Sequence, residues 1–293
     1  MPAKVLITGA GGQLGYELQR TAPADVTVVA ADRQQLDVSA RGCVESAFDR
    51  HRPDVVINAA AYTAVDQAEH EPEAAAAANA EAPRLLAASA RARNIRLIHV
   101  STDFVFGGEA SRPYAPEARV DPRGVYGATK QRGEAAVLEA GGDRALVVRT
   151  GWVYSAHGHN FVKTMLRLMK ERDEVRVVAD QVGTPTWARG LAEILWKFAV
   201  WRPLPPGHNN IYHWSDAGIA SWYDFAVAIQ EEALRLGLID RRATIRPITT
   251  ADYPTPAKRP AYSVLDKSAT WNLLSVQPVH WRTALRSMLC ELC

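Results

Sequence analysis

Short apolar runs alternate with longer helical stretches in the first half of the chain. The apolar runs occupy residues 4–8, 27–31, 54–58, 97–101 and 145–149. They are rich in Val and Ile and apolar on both faces, as the strands of a buried parallel sheet are. The helical stretches between them cover residues 14–20, 41–50, 73–93 and 125–139. This alternation predicts an α/β fold with a Rossmann-type doubly wound parallel sheet.

The pattern loosens after residue 150. Helical runs at residues 161–170, 186–200 and 222–236 are separated by Pro-rich segments at 202–208 and 253–260. Six of the eight Trp residues lie between positions 151 and 222. We therefore expect a dinucleotide-binding Rossmann domain over residues 1–155. Residues 156–293 are expected to form mainly a smaller C-terminal α/β substrate lobe, with some segments returning to the first domain. A helical cap that serves stability alone is the alternative for this lobe.

Composition excludes several classes of protein. Of the 293 residues, 47% are hydrophobic and 23% are charged, which is ordinary for a folded globular protein. The formal net charge of +2 gives no reason to expect a nucleic acid or a membrane surface as partner. No apolar run approaches the ~18 residues of a membrane span. Three cysteines without metal spacing, Cys43, Cys290 and Cys293, favour a reducing compartment. We expect a soluble, cytoplasmic protein.

Three glycines mark a candidate cofactor site at the start of the chain. Gly9, Gly12 and Gly15 stand directly between the first predicted strand and an amphipathic helix. Glycines at such a turn allow a tight bend, close approach of the backbone to a pyrophosphate, and packing of the helix on the sheet. The helix N-terminus then presents free N–H groups and the positive end of its dipole to the diphosphate. The pattern predicts dinucleotide binding.

The second strand ends in two residues with opposite implications for the cofactor. Asp32, seventeen residues after Gly15, is placed to accept hydrogen bonds from the adenosine ribose hydroxyls. Arg33 follows at once and is suited to pair with a 2′-phosphate. Asp32 therefore favours NAD and Arg33 admits NADP. We expect NADPH as the cofactor, with NADH also accepted.

A Tyr-x-x-x-Lys pair supplies the candidate chemistry. Tyr126 and Lys130 share one face of a predicted helix, and they follow Thr102, at the end of the fourth strand, by 24 and 28 residues. A free Tyr titrates near ~10, so it needs help to exchange a proton at neutral pH. The Lys ammonium and an oxidised nicotinamide ring can stabilise the phenolate. Thr102 can donate a hydrogen bond to a substrate oxygen. The pattern predicts proton transfer to or from a carbonyl or alcohol oxygen.

Several longer stretches carry a resemblance to a known family. They are NAAAYTAVD (58–66), STDFVF (101–106), VYGATK (125–130), RTGWVY (149–154), NFVKTMLRL (160–168), DQVGTPT (180–186) and YPTPAKRP (253–260). The chain resembles the extended short-chain dehydrogenase/reductase family, and within it the dTDP-4-dehydrorhamnose reductases, nearly from end to end. The resemblance implies NAD(P)H-dependent reduction of the 4-keto group of dTDP-4-dehydro-β-L-rhamnose to give dTDP-L-rhamnose.

The resemblance also assigns expected roles to residues. The catalytic positions are Thr102, Tyr126 and Lys130. The cofactor is expected against the three glycines, Asp32 and Arg33, together with Gln13, Leu14, Asp37, Val38, Ala61, Tyr62, Thr63, Tyr126 and Lys130. The dTDP-sugar is expected against Thr102, Asp103, Tyr126, Trp152, Asn160 and Arg259. Trp152 would pack on the apolar face of the sugar, whereas Asn160, Arg259 and residues 181–186 would meet the diphosphate. A core position is the alternative for Trp152.

One departure from the family concerns a metal ion. Some members form a dimer around Mg²⁺ held by three glutamates. Glu17 and Glu291 match two of these positions, but the third is Arg189, which cannot ligate a metal. We therefore expect neither a Mg²⁺ requirement nor a metal-bridged dimer, and a monomer or weak homodimer instead.

Two other functions compete with the reductase. A nucleotide-sugar epimerase or 4,6-dehydratase has the same fold, but the dehydratase chemistry needs an Asp-Glu pair after the active-site Thr, and here Phe104 follows Asp103. A non-catalytic nucleotide-binding regulatory subunit is the rival from a different class. Such proteins tend to lose the Tyr or the Lys, and both are present.

Overall fold

A six-stranded parallel sheet is the centre of the structure, a computed structural model that describes residues 3–200 and 210–293. Its strands are β1 (Ala3–Thr8), β2 (Val26–Ala31), β3 (Val55–Asn58), β4 (Arg96–Thr102), β5 (Ala145–Thr150) and β10 (Ile211–His213). Their order in the sheet is β10-β5-β4-β3-β1-β2. The chain winds outward from β1 in both directions, which is the doubly wound arrangement. The predicted fold class is confirmed.

Alternate strand residues pack against two different helical layers. Val5 and Ile7 belong to the core shared with α1 (Gln13–Arg20) and α8 (Ala188–Val200), whereas Leu6 belongs to the core on the opposite face. That second layer consists of α2 (Arg41–His51), α5 (Ala82–Ala92) and α6 (Val125–Gly141). Because successive strand side chains point to opposite faces, a strand buried on both sides is apolar throughout.

A second core lies in the C-terminal part of the chain. Three helices surround it: α7 (Phe161–Glu171), α9 (Trp222–Arg235) and α11 (Trp281–Cys290). They pack on a parallel pair formed by β7 (Glu174–Val178) and β12 (Thr244–Ile248). Three segments of this half belong instead to the first core: β10 is a strand of the main sheet, and α8 and α10 (Ser268–Leu274) contribute residues to the core on one of its faces.

Short strand pairs connect the two cores. In one, β6 (Val153–Tyr154) pairs with β9 (Thr186–Trp187), and in the other, β8 (Val182–Gly183) pairs with β11 (Ala220–Ser221). The remaining helices precede β4: α3 (Val65–Ala68) and α4 (Pro72–Ala76), which continues through a π-helical turn at Ala77–Glu81 into α5.

Three elements differ from the sequence-based prediction. The second strand was expected to be buried on both faces, but β2 is an edge strand in which only Ala31 is buried. The helix expected from residue 186 begins at Ala188, because Thr186 and Trp187 extend to pair with β6. The long helix at residues 73–93 is interrupted by the π-helical turn. The Pro-rich segment at residues 202–208 lies outside the described residues.

Two features bear on the expected environment of the protein. Within residues 3–200 and 210–293, no helix combines the length and apolar character needed to cross a membrane. Cys43, Cys290 and Cys293 are exposed free thiols.

Candidate active site

A cleft of about 1250 Å³ opens at the carboxyl ends of the central strands. This is the edge of a parallel sheet at which ligands bind. The predicted site residues that line it are Gly9, Gly12, Gln13, Leu14, Gly15, Asp32, Arg33, Asp37, Val38, Ala61, Tyr62, Thr63, Thr102, Asp103, Tyr126, Lys130, Trp152 and Asn160. Arg259 is not among the lining residues. The fold therefore brings together residues from 9 to 160 that the sequence singled out separately.

The glycine turn has the shape of a diphosphate cradle. Gly9 has φ +70°, and a Cβ atom there would lie 2.6 Å from the amide nitrogen of Ala60. A Cβ on Gly15 would lie 2.3 Å from the carbonyl oxygen of Gly9, so only glycine lets α1 approach β1 this closely. Gly12 is the N-cap of α1 and has no side chain with which to cap it. The first amides of the helix thus fit an anionic ligand.

The side chains of Asp32 and Asp37 stabilise the turn after β2 by hydrogen bonds within the turn. Asp32 Oδ1 accepts hydrogen bonds from the amides of Gln34 (2.9 Å) and Gln35 (3.0 Å). Asp37 Oδ1 accepts from Ser39, and this hydrogen bond lowers the pKa of Asp37, with a smaller contribution from Arg33. The Arg33 side chain is exposed at the rim of the cleft. One acid and one guanidinium are thus available where an adenosine ribose would lie.

Helix α6 carries the Tyr-x-x-x-Lys pair, and two contacts set its position. Glu69 Oε1 accepts a hydrogen bond from the Val125 amide at 2.8 Å and so caps the helix N-terminus. A Cβ on Gly127 would lie 2.2 Å from the carbonyl oxygen of Phe104. This glycine lets α6 lie against the segment that follows β4, which brings Tyr126 into hydrogen-bonding range of Thr102.

Burial dominates the proton affinities of the pair. It lowers the pKa of Lys130 to about 8, against the opposing effect of Glu134. It raises the pKa of Tyr126 to about 12, although the hydrogen bond with Thr102 opposes this rise. Stabilisation of the Tyr126 phenolate by Lys130 and an oxidised nicotinamide stays a prediction. In the free chain Lys130 Nζ donates to the Val100 carbonyl oxygen at 2.7 Å and lies 3.4 Å from His99 Nε2.

Asp103 is a second buried acid next to the pair. Burial raises its pKa to about 6, and hydrogen bonds from Ser263 and Thr102 oppose this rise. Its carboxyl group packs against the backbone of Gly151, where a Cβ would lie 2.5 Å away. The buried carboxyl group therefore keeps its proton to a higher pH than an exposed aspartate does.

Trp152 lies at the junction of the two cores in a strained conformation. Its φ is +51°, which is rare for a bulky residue. The indole stacks on Trp222 with ring centroids 3.5 Å apart and planes 1° from parallel. Thr186 donates a backbone hydrogen bond to the Trp152 carbonyl oxygen at 3.1 Å. The residue therefore packs on the C-terminal core and also lines the cleft, so a core position and a place in the site are compatible.

Asn160 connects the C-terminal half to the glycine turn. Its Nδ2 donates to Gln13 Oε1 at 2.9 Å, and its Oδ1 caps α7 by accepting from the Lys163 amide. Arg259 lies elsewhere, in a bidentate ion pair with Asp66 at 2.7 and 3.0 Å. Asn160 therefore lines the cleft, whereas Arg259 is held by Asp66 and does not line it.

Sequence reasoning missed several residues that shape the site. Asn79, in the π-helical turn, accepts a hydrogen bond from the Tyr62 amide at 2.9 Å and donates to the Tyr62 carbonyl oxygen. Glu69 and His99 contact the catalytic helix, and His159 lines the cleft. An isolated Asn or Glu in a helical run has no distinguishing pattern. A His inside the apolar fourth strand was the one available signal.

Comparisons with known proteins agree with this geometry. A family model described as the RmlD substrate binding domain matches residues 3–293. A dTDP-4-dehydrorhamnose reductase from Aggregatibacter actinomycetemcomitans is 42% identical over 98% of both chains. A protein from Streptomyces antibioticus, named a probable dTDP-4,6-dihydroxy-2-methyloxan-3-one 4-ketoreductase, is 46% identical over 96% of this chain and 92% of its own. The crystal structure of the Bacillus anthracis dTDP-4-dehydrorhamnose reductase in complex with NADP is 34% identical, with a TM-score of 0.90 over 99% of this chain and 100% of that one.

The chain belongs to the dTDP-4-dehydrorhamnose reductase family.

Arg189, at the position matched to the third glutamate, forms ion pairs with the other two acids. Arg189 Nε lies 3.3 Å from Glu17 Oε2, and Arg189 also pairs with Glu291. Arg20 Nη1 donates to Glu291 Oε2 at 3.0 Å. Glu17 is fully buried, and its other oxygen accepts from Ser155 at 2.8 Å. Two cations therefore already neutralise the two acids, and a Mg²⁺ ion would meet a like charge.

We predict that neither activity nor oligomeric state depends on Mg²⁺. EDTA and added Mg²⁺ should leave the turnover rate and the sedimentation coefficient unchanged, because Arg189 occupies the position of the third carboxylate. The matched variant is Arg189→Glu, which supplies the missing acid and should make both properties sensitive to the metal. Loss of a dimer together with activity in EDTA, in the unmodified protein, would show that other acids hold the ion.

Proposed function

We propose that the protein is a reductase that converts dTDP-4-dehydro-β-L-rhamnose into dTDP-L-rhamnose with NADPH, the last step of dTDP-rhamnose biosynthesis. The observation that supports this most is the position of Thr102, Tyr126 and Lys130 in one cleft with the glycine turn. Relatives that carry this name match the chain over nearly its full length.

The catalytic residues have distinct roles in this proposal. NADPH, when bound, supplies the hydride that reduces the carbonyl carbon. Tyr126 gives its hydroxyl proton to the carbonyl oxygen, and Thr102 holds that oxygen by a hydrogen bond. Because burial keeps Tyr126 protonated in the free chain, it enters the reaction as an acid. Lys130, which releases a proton more easily than an ordinary lysine, restores the proton that Tyr126 loses.

The substrate residues occupy the C-terminal side of the cleft. Trp152 offers an indole to the apolar face of a 6-deoxysugar, and Asp103 lies beside Thr102 under the reacting centre. Asn160 reaches the diphosphate from the start of α7. Arg259 can reach it only if its ion pair with Asp66 opens. In this proposal residues 1–155 bind the cofactor, and residues 156–293 bind mainly the nucleotide sugar.

A related 4-keto sugar is the second candidate substrate. The Streptomyces antibioticus relative is named for a different dTDP-linked 4-ketone, although it is 46% identical. Both reactions need the same proton donor and the same nucleotide contacts, so they differ only at the sugar. Two further candidate functions are a nucleotide-sugar epimerase, which keeps its NAD bound, and a non-catalytic nucleotide-binding subunit.

The cellular setting forms part of the proposal. We expect a cytoplasmic enzyme that works as a monomer or weak homodimer, with a small-molecule substrate and with no nucleic acid or membrane partner. The low net charge of +2 supports the expected absence of a nucleic acid or membrane partner.

The proposed reaction can be tested directly. dTDP-4-keto-6-deoxyglucose is supplied with a 3,5-epimerase, and NADPH oxidation is followed by absorbance. Consumption that requires the epimerase supports the rhamnose pathway. Equal consumption without the epimerase would show that the enzyme reduces dTDP-4-keto-6-deoxyglucose itself, a related 4-keto sugar, and co-purified NAD with no net consumption would point to an epimerase.

We predict that Tyr126→Phe lowers kcat by ~10²–10⁴ while NADPH affinity stays nearly unchanged. The substitution removes the proton donor and little packing. Fluorescence titration of NADPH and steady-state kinetics measure the two effects. Tyr223→Phe on α9, outside the cleft, is the matched control and should keep normal turnover. A Tyr126→Phe enzyme with near-normal kcat would falsify the assignment.

We predict that the enzyme uses both cofactors and that Arg33→Ala weakens NADPH selectively. Loss of one charge-assisted hydrogen bond to the 2′-phosphate should raise the KM for NADPH about tenfold, and the KM for NADH should change little. Arg41→Ala, which removes another exposed guanidinium outside the cleft, controls for overall charge. Equal weakening of the two cofactors would show that Arg33 does not contact the phosphate.

A further inference from the structure

A chain of buried polar side chains runs beneath the cleft, from β1 to α6. Thr8 Oγ1 donates to Asn58 Oδ1 at 2.7 Å. Asn58 Nδ2 lies 2.9 Å from His99 Nδ1, and His99 Nε2 lies 3.4 Å from Lys130 Nζ. Each of these four residues is at most 1% exposed. Three neighbouring strands and the catalytic helix are thus joined by one hydrogen-bonded path that ends at Lys130.

Two hydrogen bonds to the side-chain oxygen of Asn58 determine how its amide group is oriented. Asn58 Oδ1 accepts from the Thr8 hydroxyl and from the Ala60 amide, at 2.7 and 3.2 Å. A backbone N–H can only donate, so the oxygen must face it. The amide nitrogen of Asn58 therefore faces His99.

This orientation determines the tautomer of His99. Because Asn58 Nδ2 donates, His99 Nδ1 must accept and carries no proton. Burial and the nearby Lys130 keep the pKa of His99 well below its usual value, so the ring is neutral. A neutral imidazole has one proton, which must then be on Nε2. His99 presents this N–H to Lys130.

We infer that His99 is a positioning residue of the reduction. Its N–H, fixed by Asn58, opposes the charged form of Lys130 and so acts together with burial to set the pH range in which Lys130 gives up its proton. An N–H dipole aimed at an ammonium group destabilises it, and the same dipole is compatible with a neutral amine. The inference rests on the proposed role of Lys130 in restoring the proton of Tyr126.

Burial is the main reason why Lys130 gives up its proton easily, and the other polar groups around it do not add to that effect. Glu134, one turn further along α6, attracts the ammonium, but its carboxylate is held by Arg149 at 2.7 and 2.9 Å. Tyr126 lies one turn before and is neutral. The Val100 carbonyl oxygen accepts a hydrogen bond from Nζ and favours the charged form. Within the described parts of the chain, His99 is thus the one polar contact of Nζ that opposes the ammonium.

Asn58→Asp is an isosteric change that reverses the tautomer. An aspartate keeps the acceptor for Thr8 and Ala60, but its second oxygen accepts from His99 Nδ1. His99 Nε2 then becomes an acceptor and stabilises the Lys130 ammonium. Since reduction consumes a proton delivered through Lys130, activity falls at alkaline pH as Lys130 deprotonates. The alkaline limb of the kcat/KM profile should therefore shift to higher pH by about one unit.

His99→Gln is the matched variant that should preserve the wild-type pH profile. A glutamine can present its oxygen to Asn58 and its amide N–H groups to Lys130, the same polarity as the imidazole. Its alkaline limb should stay within about a few tenths of a pH unit of the wild type. Ile98→Val, which removes a buried methylene from the same strand, controls for loosening of β4 and should not move the limb.

The tautomer itself can be measured without substrate. In ¹⁵N-labelled free protein, long-range ¹H–¹⁵N correlations should show His99 with a protonated Nε2 in the wild type and a protonated Nδ1 in Asn58→Asp. A wild-type ring protonated at Nδ1, or an alkaline limb that does not move in the folded Asn58→Asp enzyme, would overturn the inference. Because the NMR result needs no reaction, it is independent of whether the proposed substrate is correct.

Discussion

Burial of both faces of the central sheet is the constraint on which the site depends. Helices α1 and α8 cover one face, and α2, α5 and α6 cover the other. With both faces closed, a ligand can reach the strands only at their ends. The carboxyl ends of parallel strands all lie on one side, so the polar residues that follow β1, β3 and β4 line the same cleft.

Close backbone contacts at glycines determine how tightly the parts of the site fit. Gly15 lets α1 lie on the Gly9 turn, and Gly127 lets α6 lie on the segment after β4. On the other side of α6, a Cβ on Gly133 would lie 2.0 Å from the carbonyl oxygen of Asn79. Each of these glycines allows a helix to approach backbone atoms that a methyl group would keep apart. The cofactor turn and the catalytic helix are positioned by the same steric rule.

Buried charged side chains have different partners in the framework of the fold and in the candidate site. Arg149 and Glu134 form a bidentate pair with both side chains nearly inaccessible, which neutralises the charge where β5 meets α6. Arg189 similarly neutralises Glu17 between α8 and α1. Lys130 forms no ion pair with a carboxylate of the described residues, and burial lowers its proton affinity. Lys130 is thus a buried cation with a perturbed proton affinity, a feature that is common at active sites.

The sequence by itself determined five of the six strands of the sheet, the glycine turn and the Tyr126–Lys130 pair. These features depend on local patterns: apolar runs, glycine spacing and helical periodicity, each of which a stretch of about ten to twenty residues expresses. The tertiary structure alone decided the edge position of β2, the return of β10 to the main sheet, and the ion pair of Arg259 with Asp66. It also decided that Tyr126 is buried, which raises its pKa in the free chain. Residues far apart in the chain make these contacts, such as Asp66 with Arg259 and Asn58 with His99. Their pairing and their proton affinity depend on the surrounding groups that exclude water. A local pattern of residue types does not contain this information.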